Sequence, residues 1–289
     1  MKHGGEYARR LKQLHHRLLR QHGKPEVPEP LDPLDQLLVG ILAGCTSMAR
    51  ALATRQRLRN AVVDLNELRV TPATELEEMI GDGVPLAASK ARDIIAALNE
   101  IRRREDRLDL GFLAQRGRRE ARDYLESISG VSRAAAACTL LFALGGHAIP
   151  VDELTLYVLR KEELVDPVSD PAEVQGFLER HVAASDAAIF TLLLNRHVCA
   201  RGARLDLQEV LRAVRAAPET PPAPPAAEAA PPAASGGRQP ARKPAAKAPA
   251  TPPGPVAART PPAPPQPQAR SAEQTPGAPP PRNPARRKK

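Results

Sequence analysis

The composition of this 289-residue chain changes abruptly after residue 217, and this change limits which part of it can fold. Residues 218–289 hold 23 of the 32 prolines, no aromatic residue and almost no large apolar side chain. Such a segment cannot bury enough surface to offset its chain entropy, so we expect it to be disordered. A folded core must therefore come from residues 1–217.

The same C-terminal segment is strongly basic. It carries eleven Lys and Arg against three Glu, a net charge of +8, while the whole chain carries +9 and residues 1–217 therefore only about +1. A mobile segment of this charge attracts phosphate backbones through counterion release, which predicts binding to nucleic acid. The alternative is a solubilising tail, or one whose Pro-rich stretches dock other proteins. The predicted tail contacts to DNA are Arg242, Lys243, Lys247, Arg286, Arg287, Lys288 and Lys289.

Residues 1–217 show the periodicity of α-helices. Near the N-terminus Leu11, Leu14 and Leu18 recur at helical spacing, and the alternation typical of strands is hard to find anywhere. Further along, Asp170 and Glu173 have the spacing of a capping box at the start of a helix. The sequence therefore predicts an all-α fold.

A short turn at residues 128–132 joins two predicted helices, and together they form a helix-hairpin-helix. Such a turn aims backbone N–H groups at the start of the second helix outward, where they and the helix dipole favour a phosphate. This predicts contact with a DNA backbone. Elsewhere, Lys90 lies on a predicted amphipathic helix and is interpreted as a solvated or phosphate-facing residue. The predicted DNA-binding residues are Gly130, Val131, Ser132, Arg133, Arg118 and Arg119.

The hairpin and four further segments resemble the helix-hairpin-helix (HhH-GPD) DNA glycosylases typified by endonuclease III. The family pattern Leu-Pro-Gly-Val-Gly-Arg-Lys-Thr-Ala matches residues 128–136, and its Val-Asp-Thr-His matches residues 151–154. The resemblance covers about residues 5–205 with the segments in the family order. The other matching segments are residues 37–46, 89–91 and 194–199.

The resemblance implies a two-lobed helical fold. Residues 28–148 would form a six-helix barrel lobe that contains the hairpin, and residues 1–27 and 149–217 would form a second helical lobe. Residues 218–289 would be a disordered Pro/Ala-rich basic tail. The implied partner is double-stranded DNA, and we expect a monomer.

Three positions of the family pattern bear on its chemistry, and the chain departs from the family at two of them. Ala134 stands where bifunctional members have the lysine that forms a Schiff base, so AP lyase activity by that route is not expected. Asp152 matches the family's aspartate, which can stabilise an oxocarbenium-like transition state, but it is equally well explained as a helix N-cap. Cys45 occupies the lesion-gap position, where the family has a glutamine that fills the space left by a flipped base.

The resemblance also implies a 4Fe–4S cluster, for which this chain lacks the ligands. From Cys199 the family spacing requires three further cysteines, and the chain has Asp206, Glu209 and Arg215 at those positions. One cysteine of four cannot hold such a cluster, so we predict no cofactor, and the scattered histidines predict no metal site.

The cysteines and the apolar runs bear on where the chain resides. The three cysteines are odd in number and far apart in sequence, which indicates a reducing compartment, and Cys45 and Cys138 lie in apolar helical runs typical of core residues. No signal peptide is visible, and no apolar run approaches the ~20 residues that span a membrane. We expect a cytoplasmic, nucleoid-associated protein that does not bind membranes.

Three functions remain open. The favoured one is a DNA-binding protein of the base-excision-repair glycosylase superfamily with a degenerate catalytic site, which binds DNA phosphates through the hairpin and the basic tail. The second is an active monofunctional DNA glycosylase that uses Asp152 to hydrolyse the N-glycosidic bond of a flipped damaged base. The third is a non-enzymatic protein-interaction scaffold in which the hairpin is only structural.

Overall fold

The computed structural model describes residues 4–216, which form twelve α-helices and two short 3-10 turns without any strand. The predicted all-helical class is thereby confirmed for this part of the chain. The predicted disorder and DNA contacts of residues 218–289 lie outside the described residues. In chain order the α-helices are Gly4–His22 (α1), Pro33–Ala43 (α2), Met48–Ala61 (α3), Leu65–Val70 (α4), Ala73–Ile80 (α5), Ala87–Glu105 (α6), Arg118–Glu126 (α7), Arg133–Phe142 (α8), Glu153–Lys161 (α9), Pro171–His181 (α10), Ala187–Gly202 (α11) and Leu207–Arg215 (α12).

The helix ends and faces follow the local chemistry of the sequence. Leu11, Leu14 and Leu18 form the buried face of α1, as their spacing predicts. At the start of α10 the Asp170 carboxylate accepts a hydrogen bond from Glu173 N at 2.7 Å, and the Glu173 carboxylate accepts one from Asp170 N at 3.3 Å. The predicted capping box is confirmed. Every helix between residues 4 and 216 is too short or too polar to cross a membrane.

The helices bury their apolar faces in two hydrophobic cores. The first core is built from α2 to α8 and runs in sequence from Leu34 to Ala148. The second combines α1 with α9 to α12, and it also takes in Cys45 and Leu141 from the first stretch of chain. The chain therefore enters the second core with α1, builds the first core, and returns to the second.

A close contact between α2 and α8 in the first core places the ends of these two helices side by side. A Cβ atom added to Gly40 on α2 would lie 2.8 Å from the carbonyl oxygen of Ala135 on α8, so a side chain at this position would force the helices apart. Because Ala135 lies in the first turn of α8, the contact brings the last turn of α2 beside the start of α8. This junction carries the site described next.

Candidate functional site

The helix-hairpin-helix joins α7 to α8 through residues 127–132. Gly130 has φ +79°, and an added Cβ would collide with the backbone carbonyl of Asp93, so the position requires glycine. Ser132 has φ −75°, and its Oγ accepts a hydrogen bond from Ala135 N at 3.2 Å. Serine in place of the family's second glycine therefore adds no backbone strain and provides the N-cap of α8.

The backbone N–H groups at the start of α8 remain available to a ligand. Those of Ser132, Arg133 and Ala134 have no acceptor among the residues from 4 to 216. They belong to the first turn, where helix geometry offers no internal partner, and Ser129 and Ser132 at the turn are exposed. The hairpin thus presents several N–H donors together with the positive end of a helix dipole, which is the arrangement that favours an anion.

The three arginines predicted at the hairpin are exposed, and their side chains are weakly held. Arg133 forms an ion pair with Glu126 at 3.2 Å, and Arg119 lies 3.8 Å from Asp123. Arg118 has no ion-pair partner in the described part of the chain. Exposed pairs of this kind contribute ~0–1 kcal/mol, so all three guanidinium groups remain free to exchange onto a phosphate.

A fourth arginine holds the hairpin in shape. Arg104 on α6 donates from Nη1 to Ser127 Oγ and from Nη2 to Ser127 O, both at 2.7 Å. Its Nε lies 2.6 Å from Glu100, which fixes the guanidinium from the other side. Sequence patterns do not indicate this role, because Arg104 and Ser127 are 23 positions apart.

Asp152 is the N-cap of α9 and also binds the loop that follows α2. Its Oδ1 accepts a hydrogen bond from Thr155 N at 2.8 Å, and its Oδ2 accepts one from Cys45 N at 2.6 Å. Both carboxylate oxygens are therefore engaged by the protein's own backbone. Of the two roles considered for Asp152, the cap is present, and the catalytic role stays a prediction.

A small cavity lies where α2, α8, α9 and α11 meet, and both Ala134 and Asp152 line it. Its volume is ≈ 40 Å³, which accommodates about one or two water molecules, whereas small-molecule pockets span about 300–1,000 Å³. The hairpin residues Gly130 to Arg133 are not among those lining it. The other lining residues are Gly40, Ala43, Gly44, Met48, Cys138, Pro150, Thr155, Thr191, Leu194 and Asn195.

Residues 44–47 connect α2 to α3, and together with Met48, the first residue of α3, they form what we call the clamped loop (residues 44–48). Cys45, at the predicted lesion-gap position, has φ +56° and only 6% of its surface exposed, and its side chain packs in the second core. Burial and the nearby Asp152 carboxylate raise the pKa of the Cys45 thiol to about 12. In this structure Cys45 points inward and presents no group to a nucleic-acid strand.

Asn195 on α11 clamps the same loop from another direction. Its Oδ1 accepts a hydrogen bond from Met48 N, and its Nδ2 donates to Thr46 O, both at 2.9 Å. Sequence reasoning placed Asn195 in a segment resembling the family but assigned it no role. The amide contacts the loop almost 150 positions away, so no local pattern could have indicated them.

Lys90 provides the third clamp, and its predicted exposure is wrong. The residue is 4% exposed, and its Nζ donates to Leu42 O and Gly44 O, both at 2.7 Å. Burial lowers the pKa of the Lys90 amine to about 8. The unpaired carbonyls and negative dipole at the end of α2 stabilise the ammonium, which the amphipathic pattern of α6 alone could not reveal.

The described residues do not fit the iron–sulfur cluster that the family resemblance implies. Cys199 is half-buried on α11, and burial raises the pKa of its thiol to about 11. At the three remaining ligand positions, Asp206 caps α12 while Glu209 and Arg215 are exposed on it. Within residues 4–216 no group of three or more His, Cys, Asp or Glu side chains is placed to hold a metal ion.

Comparison with solved structures identifies the fold. Endonuclease III trapped in a covalent complex with DNA is similar at a TM-score of 0.51 and 19% identity, over 65% of this chain and 84% of that one. The chain has the fold of the endonuclease III-like DNA glycosylases. The H. pylori 3-methyladenine DNA glycosylase is similar at a TM-score of 0.50 and 19% sequence identity, over 69% of this chain and 99% of that one. The Clostridium acetobutylicum 8-oxoguanine glycosylase/lyase is similar at a TM-score of 0.52 and 16% sequence identity, over 70% of this chain and 71% of that one. No protein-family model and no curated protein sequence matches the chain.

Proposed function

We propose that this chain is a DNA-binding protein of the base-excision-repair glycosylase superfamily, which holds DNA phosphates at its helix-hairpin-helix. The observation that carries the proposal is the exposed start of α8, where the N–H groups of Ser132, Arg133 and Ala134 have no acceptor in the described part of the chain. The similar structures of endonuclease III and of the 8-oxoguanine glycosylase/lyase are complexes with DNA, which agrees with this use of the fold.

We further propose that the catalytic site has degenerated. A glycosylase needs a carboxylate free to face the sugar and a space for the extruded base. Here both oxygens of Asp152 accept backbone hydrogen bonds, and the adjoining cavity holds only ≈ 40 Å³. The methyl group of Ala134 supplies no amine for a lyase step.

The basic segment is proposed to supply long-range attraction to DNA. Residues 218–289 carry a net charge of +8, and residues 1–217 carry about +1. Attraction to phosphates through counterion release grows with the number of cationic contacts, so most of the affinity would come from this segment. The hairpin would then fix how the folded part sits on the backbone.

The hairpin is tested by placing a negative charge among its N–H donors. Ser132→Asp keeps a good N-cap for α8 but repels a phosphate, so DNA affinity should fall about tenfold. The matched control is Thr74→Asp, which adds the same charge to the exposed first turn of α5 in the same core. Fluorescence anisotropy of a labelled duplex at fixed salt measures both. Equal affinities for the two variants would refute the hairpin as the phosphate site.

The second candidate function is an active monofunctional glycosylase. The observation that favours it is that Asp152 and Ala134 line one cavity, at the place where the family resemblance puts the catalytic aspartate. Base release from a panel of damaged duplexes separates the candidates. We expect no release above background from the full chain. Release by the wild-type protein that is abolished in Asp152→Asn would establish the glycosylase instead.

A further inference from the structure

A basic surface lies on the second core, and it is formed by helices other than the α7 and α8 that the hairpin joins. Two neighbouring concavities of ≈ 770 and ≈ 660 Å³ share Arg17, Glu162 and Arg201 in their walls. They are formed by α1, the end of α9 and the end of α11, and together they make one elongated depression. We call it the basic trough and define it by its six Lys and Arg residues, Arg10, Arg17, Arg20, Lys161, Arg201 and Arg204.

The trough carries a surplus of positive charge after its lining carboxylate and the carboxylates paired with its cations are counted. Among the described residues Glu162 is the one carboxylate that lines it, and it is surrounded by His197 at 2.9 Å, Arg201 at 3.1 Å and Arg17 at 3.7 Å. Outside the lining, Glu6 and Glu163 pair with Arg10. Six cations against three carboxylates leave a surplus of +3 at neutral pH.

The remaining cations are exposed and have no carboxylate partner in the part of the chain that the structure describes. Arg20, Lys161 and Arg204 are exposed and form no ion pair within residues 4–216. The ammonium of Lys161 lies 5.4 Å from the centre of the Tyr157 ring, which also lines the trough. Because the ammonium lies over this face of the ring, the exposed cations are the groups left to contact a ligand, and cations of this kind bind phosphates.

The length of the trough indicates a chain of phosphates. From Arg10 to Arg20, α1 advances ten residues, which is ~15 Å at 1.5 Å per residue. A nucleic-acid strand places a phosphate every ~3.4 Å of rise, so this length matches about four nucleotides. The chain's own segment 218–289 is unsuited to the trough, because its net charge of +8 has the same sign.

We infer that the basic trough is a second nucleic-acid site, which binds the phosphodiester backbone of a strand independently of the hairpin. This inference rests on the proposed DNA-binding function and extends it to the core formed by α1 and α9 to α12. A strand held there would add phosphate contacts and so steepen the dependence of DNA affinity on salt concentration.

The test compares charge reversals inside and outside the trough in the full chain. Arg20→Glu with Arg204→Glu changes one exposed, unpaired residue in each concavity. The control, Lys12→Glu with Arg215→Glu, makes the same charge change at exposed positions that do not line the trough. Anisotropy of a labelled DNA duplex and of a single strand is measured over a salt series, with circular dichroism to verify folding.

The trough variant should bind DNA at least about tenfold more weakly than the control at low salt. Its slope of log affinity against log salt should be smaller by about two contacts, at ~0.9 per phosphate. Equal slopes and affinities for the two variants, with wild-type binding intact, would overturn the trough while leaving the proposed function standing. Absence of wild-type DNA binding would instead refute the proposed function itself.

Competition experiments identify the form of the ligand. Unlabelled oligonucleotide should displace the labelled strand at micromolar concentration, whereas inorganic phosphate and a mononucleotide should need concentrations at least a hundredfold higher. Displacement by the mononucleotide as readily as by the oligonucleotide would overturn the assignment to a strand. The neutral pair Arg20→Gln with Arg204→Gln removes the same two cationic contacts, so it should show a similar change in slope with a smaller loss of affinity. It replaces the first variant if circular dichroism detects misfolding.

Discussion

The start of α8 and the clamped loop, residues 44–48, both lie at the junction of α2 and α8, yet they use their backbone polar groups in opposite ways. At the exposed start of α8 the N–H groups of Ser132, Arg133 and Ala134 have no acceptor among residues 4–216. In the clamped loop the N–H groups of Cys45 and Met48 bond to side chains from α11 and from the start of α9.

This difference separates a surface that can bind from one that supports the fold. Buried backbone groups must be satisfied inside the protein, because an unpaired one costs ~1–3 kcal/mol. Three side chains from three separate elements, Lys90, Asp152 and Asn195, satisfy the clamped loop and the end of α2. The hairpin amides can remain unpaired because water reaches them. Asp152, which matches the family's aspartate in sequence, is thus one of the side chains that support the fold.

The largest expected effect is the loss of stability when the clamp at Asp152 is removed. Asp152→Ala deletes the N-cap of α9, worth ~1 kcal/mol, and leaves the Cys45 N–H buried without a partner, worth ~1–3 kcal/mol. We expect the free energy of unfolding to fall by about 3 kcal/mol in total. Ser132→Ala removes only a cap from an exposed helix start, so its expected loss is about 1 kcal/mol.

Urea denaturation of the two variants measures this comparison directly, because both remove a polar cap from a helix in the same protein. Asp152→Asn offers an internal control, since asparagine still caps α9 but directs a donor or an acceptor at Cys45 N without the carboxylate's charge. Its loss should lie between those of the two alanine variants. If Asp152→Ala were no less stable than Ser132→Ala, the idea of a structural aspartate would have to be abandoned.

The features that the sequence could predict are those set by residues close to one another along the chain. The helices, the capping box at Asp170 and the hairpin follow from residues within a few positions of one another, and these predictions are confirmed. The motif left open whether Ser132 has to adopt a positive φ, because a sequence pattern fixes the residue type and not its dihedral angles, and the structure gives φ −75°. Local pattern was therefore sufficient for the fold class and for the existence of the hairpin.

The environment of the candidate site could not be predicted in the same way. Lys90 lies 46 and 48 positions from the carbonyls it binds, and Asp152 lies 107 positions from Cys45. A polar residue on an amphipathic helix is normally solvated, and nothing local signals that another helix ends against it. Whether such a side chain supports the fold or serves a ligand is decided by these long-range contacts.

The smallest expected effect is a change in pH dependence caused by Lys90. Its pKa is about 8 in the folded protein against an ordinary value of 10.5. At a pH between these values the unfolded chain holds a proton that the folded chain has released, so stability rises with pH across this window. From about pH 7 to about pH 9 the gain relative to Lys90→Met should be about 1 kcal/mol.

Lys90→Met will be less stable than wild type at every pH, because Leu42 O and Gly44 O lose their donor. The informative quantity is therefore the slope of the free energy of unfolding against pH, and not its absolute value. The upper limit of pH 9 matters because the Cys45 thiol, whose pKa is raised to about 12, makes stability fall as pH rises further. Lys12→Met, at an exposed position of α1, serves as the control and should follow the wild-type slope. Parallel curves for wild type and Lys90→Met would mean that the amine does not titrate in this window, and the clamp would then act through its hydrogen bonds alone.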